Sequence, residues 1–188
     1  MRNDLLSTEV PELDVDCELK WVRLDMTGAK SLYIGAFYRP PSSDAEYLSR
    51  LDASLGRLTH STGANIWLGG DFNAPHIDWS THEVKPEAAG MRSLHQQLVD
   101  VSLDHNLDQV VDQPTWGTNT LDLLLTNNKT SLNKLSILPG LGKSDHDIVY
   151  AEIDNYSTAP RNPHARYTCT RRQSGTTLKT TWLRFWIL

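Results

Sequence analysis

The sequence contains little of what marks a secreted or membrane protein. It has only two cysteines, Cys17 and Cys169, and their distant, unrelated positions support neither a disulfide framework nor a thiolate zinc site. No apolar run approaches the ~18 residues that a membrane-spanning helix needs. The N-terminus also lacks a basic start followed by an apolar stretch. We therefore expect a soluble, intracellular protein.

Acidic residues are absent from the C-terminal part of the chain. Residues 1–157 carry all 23 acidic residues and 12 of the 18 basic ones, a formal charge of −11. This asymmetry predicts a folded domain over residues 1–157 and a basic, disordered tail over residues 158–188. One interpretation of the tail is an arm that binds nucleic acid. The interpretation we favour is translation out of frame. Codons for the tail residues can be chosen such that the neighbouring reading frame encodes an amphipathic sequence like that of a connector between domains.

Hydrophobic patterning predicts strands and helices that mix without strict alternation. Residues 17–25 and 31–38 are typical of a hairpin, and Ser43 or Asp44 is a suitable N-cap for a following helix with one apolar face. Further strands are predicted at 65–72, 121–126, 134–139 and 147–153, a second helix at about 90–106, and a long turn-rich loop before it. This order favours mixed sheets covered by helices.

Three polar clusters lie at the edges of apolar strands: Gly70-Asp71-Phe72-Asn73, Asn119-Thr120-Leu121-Asp122 and Ser144-Asp145-His146. Each has an ordinary structural explanation when taken alone. Asp71 could cap a turn, and a single histidine is more often structural than catalytic. A buried Asp122 would need a partner to offset the loss of its hydration. The stretch GLGKS is not a phosphate-binding loop, because that pattern requires glycine where Ile137 stands.

Taken together and in this order, the motifs resemble those of the endonuclease/exonuclease/phosphatase superfamily. FYRPP, GDFNAP, PTW, LDLLLTN and SDHDIV are most similar to the apurinic/apyrimidinic-type endonuclease domain of non-LTR retrotransposons. The resemblance covers about residues 10–155. It implies an α/β fold, a partial four-layer sandwich of two mixed β-sheets flanked by helices, with the first strands missing.

The resemblance also gives catalytic roles to five residues. Asp71 would orient or deprotonate the attacking water, and Asn73 would donate its amide to a phosphoryl oxygen. His146 would contact the phosphate as base or electrophile, while Asp122 fixes its tautomer and stabilises its cationic form. Tyr38 of FYRPP matches a tyrosine that contacts the phosphate.

Three further residues would support the site. Asp145 would bind Mg²⁺, which prefers carboxylate and water oxygens, with Mn²⁺ as a substitute. Ser144 would support the loop before His146, and Thr115 would add a backbone or phosphate contact.

Two motifs of the family pattern, an early asparagine and a metal-binding glutamate, have no counterpart in residues 1–37. We therefore expect an N-terminally truncated domain with impaired activity, an open sheet edge and uncovered apolar surface. The alternatives are a phosphoesterase of the same fold acting on another substrate, and a remnant without catalysis.

The expected partners follow from the same resemblance. They are DNA, in the nucleus, and the reverse transcriptase domain of an intact element. The negative charge predicts weak DNA binding, with Arg39, Arg50, Arg57 and Lys143 as a local basic stripe.

Overall fold

The computed structural model describes residues 6–25, 30–154 and 182–187. In these ranges the α-helices are α1 (Ala45–Thr62) and α2 (Arg92–Asp104). The strands are β1 (Leu6–Glu9), β2 (Leu19–Asp25), β3 (Leu32–Tyr38), β4 (Asn65–Asp71), β5 (Ile77–Asp78), β6 (Glu83–Val84), β7 (Asp108–Gln109), β8 (Asp122–Thr126), β9 (Leu132–Leu138), β10 (Ile148–Asp154) and β11 (Trp182–Ile187). Short 3₁₀ turns cover Pro11–Leu13, Pro86–Met91 and Lys129–Ser131.

The large sheet has six strands in the order β1-β2-β3-β4-β8-β7. Strand β4 is parallel to β3 and antiparallel to β8, and it therefore makes the sheet mixed. The predicted hairpin of β2 and β3 is confirmed, with Leu19 opposite Phe37 and Leu24 opposite Leu32.

Helix α1 begins where the sequence predicts. The Asp44 side chain accepts a hydrogen bond from the Glu46 amide at 3.1 Å, and Gly63 ends the helix in the left-handed conformation at φ 51°. The apolar stripe Leu48, Leu51, Leu55 and Leu58 is buried. Together with α2, it packs against one face of the large sheet.

The opposite face of the large sheet packs against a three-stranded antiparallel sheet in the order β11-β10-β9. Val149, Ala151 and Ile153 of β10 meet Leu24, Leu32, Trp67 and Leu124 of the large sheet. Successive residues of β3 and β4 therefore alternate between facing the helices and facing the second sheet. The described residues form two apolar cores, one on each face of the large sheet.

The predicted α/β class, with helices packed on a mixed sheet, is confirmed, whereas the second sheet, predicted as mixed, is antiparallel in the described ranges. In the described ranges, helices, large sheet and small sheet form successive layers. Neither α-helix of those ranges is long and apolar enough to cross a membrane. The predicted disordered or out-of-frame tail falls mostly outside the described residues, but Trp182–Ile187 pair with β10 as strand β11.

Candidate active site

Three neighbouring strands of the large sheet bring predicted site residues into one row. In the register of the sheet, Tyr38 of β3 lies beside Asp71 of β4, and Asp71 lies beside Asp122 of β8. Paired residues project on the same side of a sheet. All three residues therefore lie on the face of the large sheet that, farther along its strands, packs against the three-stranded sheet.

The turn after β4 depends on Gly70. Its φ is +153°, and a Cβ at this position would lie 1.7 Å from the Phe37 carbonyl oxygen. Only glycine allows β3 to approach β4 this closely just before Asp71.

Asn73 is bound to Asp71 by two hydrogen bonds. Its backbone amide donates to Oδ1 of Asp71 at 3.0 Å, and its Nδ2 donates to Oδ2 at 2.9 Å. The residue adopts φ 49°, a conformation that asparagine tolerates better than most residues. Nδ2 also donates to the Arg39 carbonyl at 2.8 Å, so both amide hydrogens are used inside the protein.

Arg39 holds the same turn from inside the protein. Only 1% of its surface is exposed. Nε donates to the Phe72 carbonyl at 2.7 Å, one terminal nitrogen to the Asn73 carbonyl at 2.6 Å, and the other to the Ser43 hydroxyl at 3.1 Å. Sequence reasoning missed this role. The proximity of FYRPP to the strand end is the signal that could have indicated it.

The predicted basic stripe is wrong for Arg39, and the other two arginines of the stripe contact neighbouring groups at the surface. Arg39 is buried, whereas Arg50 of α1 binds Glu46 at 2.8 Å and the Asp16 carboxylate at 3.3 Å. Arg57 donates to the Leu13 and Asp14 carbonyls. Arg39 therefore holds the Asp71 turn from inside, whereas Arg50 and Arg57 make their contacts with the segment before β2 at the protein surface.

His146 and Asp122 form the pair that the sequence predicts. Nδ1 of His146 lies 2.9 Å from Oδ2 of Asp122, and Asp122 is 1% exposed. Because Nδ1 donates to the carboxylate, Nε2 is the nitrogen left to face a ligand.

Thr115 supports Asp122 and the His146 loop through its backbone and hydroxyl. It is buried, and its Oγ1 accepts hydrogen bonds from the amides of Leu121 at 3.1 Å and Asp122 at 3.0 Å. Its carbonyl accepts one from the Asp147 amide at 2.8 Å. The geometry therefore matches a backbone contact, one of the two that the sequence left open.

Ser144 and Gly140 shape the loop that carries His146. The Ser144 hydroxyl accepts from the His146 amide at 3.2 Å and donates to the His146 carbonyl at 3.1 Å. A Cβ on Gly140 would lie 2.3 Å from that carbonyl. Ser144 is therefore a loop-supporting residue in this structure.

Asp145 is held by an aromatic residue that sequence reasoning did not single out. Nε1 of Trp116 donates to Oδ2 of Asp145 at 2.9 Å. This hydrogen bond is the main cause that lowers the pKa of the Asp145 carboxyl below its ordinary value. The carboxylate therefore remains charged beside His146.

The environment shifts the pKa values of Asp71 and His146 upward. Burial is the largest influence on the Asp71 carboxyl and raises its pKa, and the negative charge of Asp122 raises it further. The hydrogen bonds from Asn73 and the charge of His146 lower the same pKa but do not outweigh the burial. Partial burial of His146 disfavours its charged form. The hydrogen bond and charge of Asp122, with the charges of Asp71 and Asp145, outweigh that burial and raise the His146 pKa.

A cleft of about 540 Å³ begins at Asp71 and Tyr38 and runs along the large sheet. Its walls are mainly apolar and include Ile34, Ala36, Trp67 and Leu124. The polar cluster therefore lies at the mouth of an apolar cleft.

The donors at the site match Mg²⁺ in kind. Asp145 and Asp71 offer the hard oxygens that this ion prefers. Within the described ranges, no group of three or more His, Cys, Asp or Glu side chains is arranged to hold a metal ion. Mg²⁺ usually takes only one or two carboxylates and keeps water or substrate phosphate at its other positions, so these two residues would supply few of its ligands.

A search of solved structures finds the same fold in the endonuclease domain of TRAS1, a telomere-specific non-LTR retrotransposon. The two chains share 19% sequence identity with a TM-score of 0.60. The match covers 77% of this chain and 64% of the TRAS1 chain, so this protein spans less than two thirds of that structure. No curated protein matches the sequence.

A family model described as endonuclease-reverse transcriptase matches residues 32–150. The matched range includes the ends of β3, β4 and β8 and the whole loop that carries Asp145 and His146. It also covers more than half of the 188 residues. The chain therefore belongs to the endonuclease-reverse transcriptase family.

Proposed function

We propose that this site hydrolyses a phosphodiester bond of DNA, as a nicking activity of the retrotransposon type. The observation that carries the proposal is the Asp122–His146 pair, which lies beside the Asp71–Asn73 turn at the ends of two paired strands. A phosphodiester needs an activated water and positive charge at its phosphoryl oxygens. These four residues offer both functions at one place.

Asp71 is the proposed base. Burial and the nearby Asp122 carboxylate raise the pKa of Asp71. A carboxylate with a raised pKa accepts a proton more readily near neutral pH. In the proposed step, Asp71 takes a proton from water while the water oxygen attacks phosphorus. The bond to the leaving sugar oxygen then breaks, its electron pair stays on that oxygen, and the oxygen takes a proton from solvent water to become the free hydroxyl.

His146 is the proposed electrophile. Asp122 favours its cationic form, and the outward Nε2–H donates to a phosphoryl oxygen as charge develops there. Tyr38, which is exposed beside Asp71 at the end of the neighbouring strand, adds a second phosphate contact. Asn73 acts by orienting Asp71, because both of its amide hydrogens are already engaged.

We also propose that the reaction depends on Mg²⁺ or Mn²⁺, with Asp145 as one ligand. A bound divalent cation would supply charge to the phosphate and the leaving oxygen. Because few described side chains are available as ligands, we expect weak binding and a requirement for high metal concentrations.

The test is nicking of supercoiled plasmid by the full chain at several Mg²⁺ and Mn²⁺ concentrations. Asp71→Asn and His146→Gln should each reduce nicking at least about a hundredfold, the typical effect of losing an acid–base or charge-stabilising group. Asp104→Asn, at an exposed position on α2, is the matched control. Circular dichroism would verify that every variant is folded.

Equal nicking by all four proteins would contradict the proposal and indicate a contaminant. Parallel assays on phosphomonoesters and inositol phosphates separate the related phosphoesterase activity. Turnover of those compounds without plasmid nicking would favour that alternative.

A non-catalytic remnant is the second candidate, and the small number of described metal ligands favours it. Such a protein would bind DNA or a partner without cleaving DNA at any metal concentration. A gel-shift assay combined with the nicking assay distinguishes this remnant from a weak enzyme.

A further inference from the structure

Two histidines that have no part in the proposed hydrolysis lie against each other. His95 belongs to α2, and His76 lies directly before β5. The centroids of the two imidazole rings are 5.6 Å apart, and the ring planes are inclined by 69°. The fold therefore brings helix α2 and the segment that follows the Asp71 turn together at a pair of imidazoles.

His95 has one ring nitrogen that is buried without a hydrogen-bond partner. The residue is 0% exposed, and its Nδ1 lies 2.9 Å from the Met91 carbonyl oxygen. A carbonyl oxygen only accepts, so Nδ1 carries the proton and Nε2 keeps a free lone pair. No donor of the described residues reaches Nε2. A buried acceptor without a partner costs free energy, and a ligand bound to Nε2 would recover it.

The His95 ring is held in its neutral form. Burial is the largest influence on its pKa and lowers it, and the charges of His76 and Arg39 lower it further. The hydrogen bond to the Met91 carbonyl raises the same pKa but does not outweigh the burial. Neutral imidazole is the form that binds a metal ion, so the lone pair of Nε2 is available near neutral pH.

His76 is the member of the pair that solvent can reach. The residue is half-buried, whereas its backbone is fixed because the His76 carbonyl accepts from the Lys85 amide at 2.9 Å. This bond lies beside the β5–β6 pairing of Ile77 with Val84. The imidazole can turn about its side-chain bonds and direct either nitrogen toward His95.

The separation of the two rings matches that of two imidazoles on one metal ion. Metal–nitrogen distances of about 2 Å and a tetrahedral angle place two such ring centres roughly 5–6 Å apart. The observed separation of 5.6 Å lies in this range. The space between the nitrogens has to admit only an ion, which is smaller than a water molecule, so the burial of Nε2 does not prevent binding.

The chemistry of the pair selects one class of ion. Imidazole nitrogens suit Zn²⁺, Cu²⁺ and Ni²⁺, whereas Mg²⁺ prefers oxygen ligands. The positive charge of Arg39 acts on His95 and disfavours an ion that is held by charge alone. No set of three His, Cys, Asp or Glu side chains surrounds the pair in the described ranges. Water molecules would therefore complete the coordination.

We propose that His76 and His95 form a two-histidine site for a divalent transition-metal cation such as Zn²⁺, separate from the oxygen ligands proposed for Mg²⁺. The bound ion joins the segment after the Asp71–Asn73 turn to helix α2. Because only the folded chain presents both nitrogens together, the ion stabilises the folded protein and holds that segment in place.

The experiment is a Zn²⁺ titration of the full chain, prepared without an affinity tag and kept in excess Mg²⁺. The Mg²⁺ occupies oxygen ligands such as Asp145 and leaves the imidazoles free. Isothermal titration calorimetry gives the affinity, and NMR of the histidine ring protons identifies the residues that bind. Melting temperatures with and without Zn²⁺ measure the stabilisation.

Three variants accompany the wild type. His76→Gln and His95→Gln each remove one ligand. His82→Asn is the matched control, because it removes a half-buried histidine from the turn between β5 and β6 and leaves the pair intact. Asparagine also tolerates the φ of 57° at this position. Circular dichroism verifies that each variant is folded.

We expect one Zn²⁺ to bind the wild type and to shift the ring signals of His76 and His95 together. His76→Gln and His95→Gln should each bind at least about tenfold more weakly, because loss of even an indirect metal partner costs about 10–100-fold. Zn²⁺ should raise the melting temperatures of the wild type and His82→Asn, but not that of His76→Gln.

Absence of Zn²⁺ binding by the wild type would overturn the site. An unchanged affinity in His76→Gln, or an equal loss in His82→Asn, would also overturn it, because other groups would then hold the ion. If the buried substitution His95→Gln prevents folding, the affinity of His76→Gln decides. None of these measurements uses DNA cleavage, so the result is independent of the proposed function.

Discussion

Asp122 is the residue that connects the sheet to the proposed chemistry. Its backbone is held by β4 and by Thr115, while its buried carboxylate holds His146. A buried carboxylate requires a partner, and here the partner is the histidine itself. The orientation and charge of His146 are therefore determined by one strand position.

Replacing Asp122 with asparagine should lower the His146 pKa, because the hydrogen bond and charge of Asp122 both raise it. A histidine whose folded pKa exceeds its unfolded value of about 6.5 adds stability below that value, and this stability is lost as pH rises through the folded pKa. Asp122→Asn should therefore lose more free energy of unfolding near about pH 5.5 than near about pH 8.

NMR titration of the His146 ring protons and urea unfolding at both pH values measure these effects. Asp104→Asn on α2 is the control and should leave the His146 titration unchanged. An unaltered His146 pKa in Asp122→Asn would show that the pair does not determine the charge of the imidazole.

Arg39 illustrates how a buried cation can support a catalytic turn without touching the reaction. Replacing it with alanine would leave the Phe72 and Asn73 carbonyls without their donors and create a cavity. We expect Arg39→Ala to cost about 2–4 kcal/mol in the free energy of unfolding, measured with urea. Arg39→Lys should recover only part of this loss, because an ammonium cannot reproduce the planar donor geometry.

The control for Arg39 is Arg50→Ala, since the Arg50 side chain lies on the outside of α1 with exposed acidic partners. Exposed ion pairs contribute little, so this variant should remain close to the wild type. Similar losses in both variants would contradict the structural role assigned to Arg39.

At the scale of elements, the approach of β3 and β4 is set by Gly70. A methyl group at this position would lie 1.7 Å from the Phe37 carbonyl oxygen, so the two strands would have to separate. We expect Gly70→Ala to lose at least about 2 kcal/mol of stability or to fail to fold. Thermal unfolding followed by circular dichroism measures this loss. Gly90→Ala is the control, because a Cβ there meets nothing within 4 Å. Equal melting temperatures of the Gly70→Ala and Gly90→Ala variants would refute the steric argument.

The elements that local sequence determines were predicted well. Asp44 caps α1 as expected, and the glycines before Asp71 mark the end of β4. The β5–β6 hairpin inside the predicted loop was missed, because two strands of two residues leave almost no periodicity to detect. The sequence indicated which polar residues would lie together, but not the burial of Arg39 or the Trp116–Asp145 bond. Both depend on residues brought together by the fold from 29 or more positions apart.

At the scale of the whole molecule, β11 covers one edge of β10 by backbone pairing over six residues, from Asp154–Trp182 to Val149–Ile187. Ending the chain at residue 157 should expose this edge, and an exposed edge favours association between copies. We expect the shortened protein to unfold at a lower temperature and to form dimers or larger species. Size-exclusion chromatography with light scattering would measure them.

A double variant distinguishes backbone pairing from a general effect of the tail. Neighbouring amides of a strand point to opposite sides, so proline at both Leu183 and Arg184 removes one amide that faces β10, whereas alanine at both positions keeps it. The proline variant should behave like the shortened chain and the alanine variant like the full one. If both remain monomeric and equally stable, β11 does not protect the edge of β10.

The pairing of β4 with β8 also limits the ways in which this protein could lose the proposed activity. Side chains alternate between the two faces of a strand, so a shift of β8 by a single residue would turn Asp122 toward the helices and Leu123 toward the cleft. His146 would then have no carboxylate to meet, and a charge would enter the core. Each molecule therefore has either a complete Asp122–His146 pair or none. The specific activity of a preparation should report the fraction of molecules in which β8 is correctly aligned with β4.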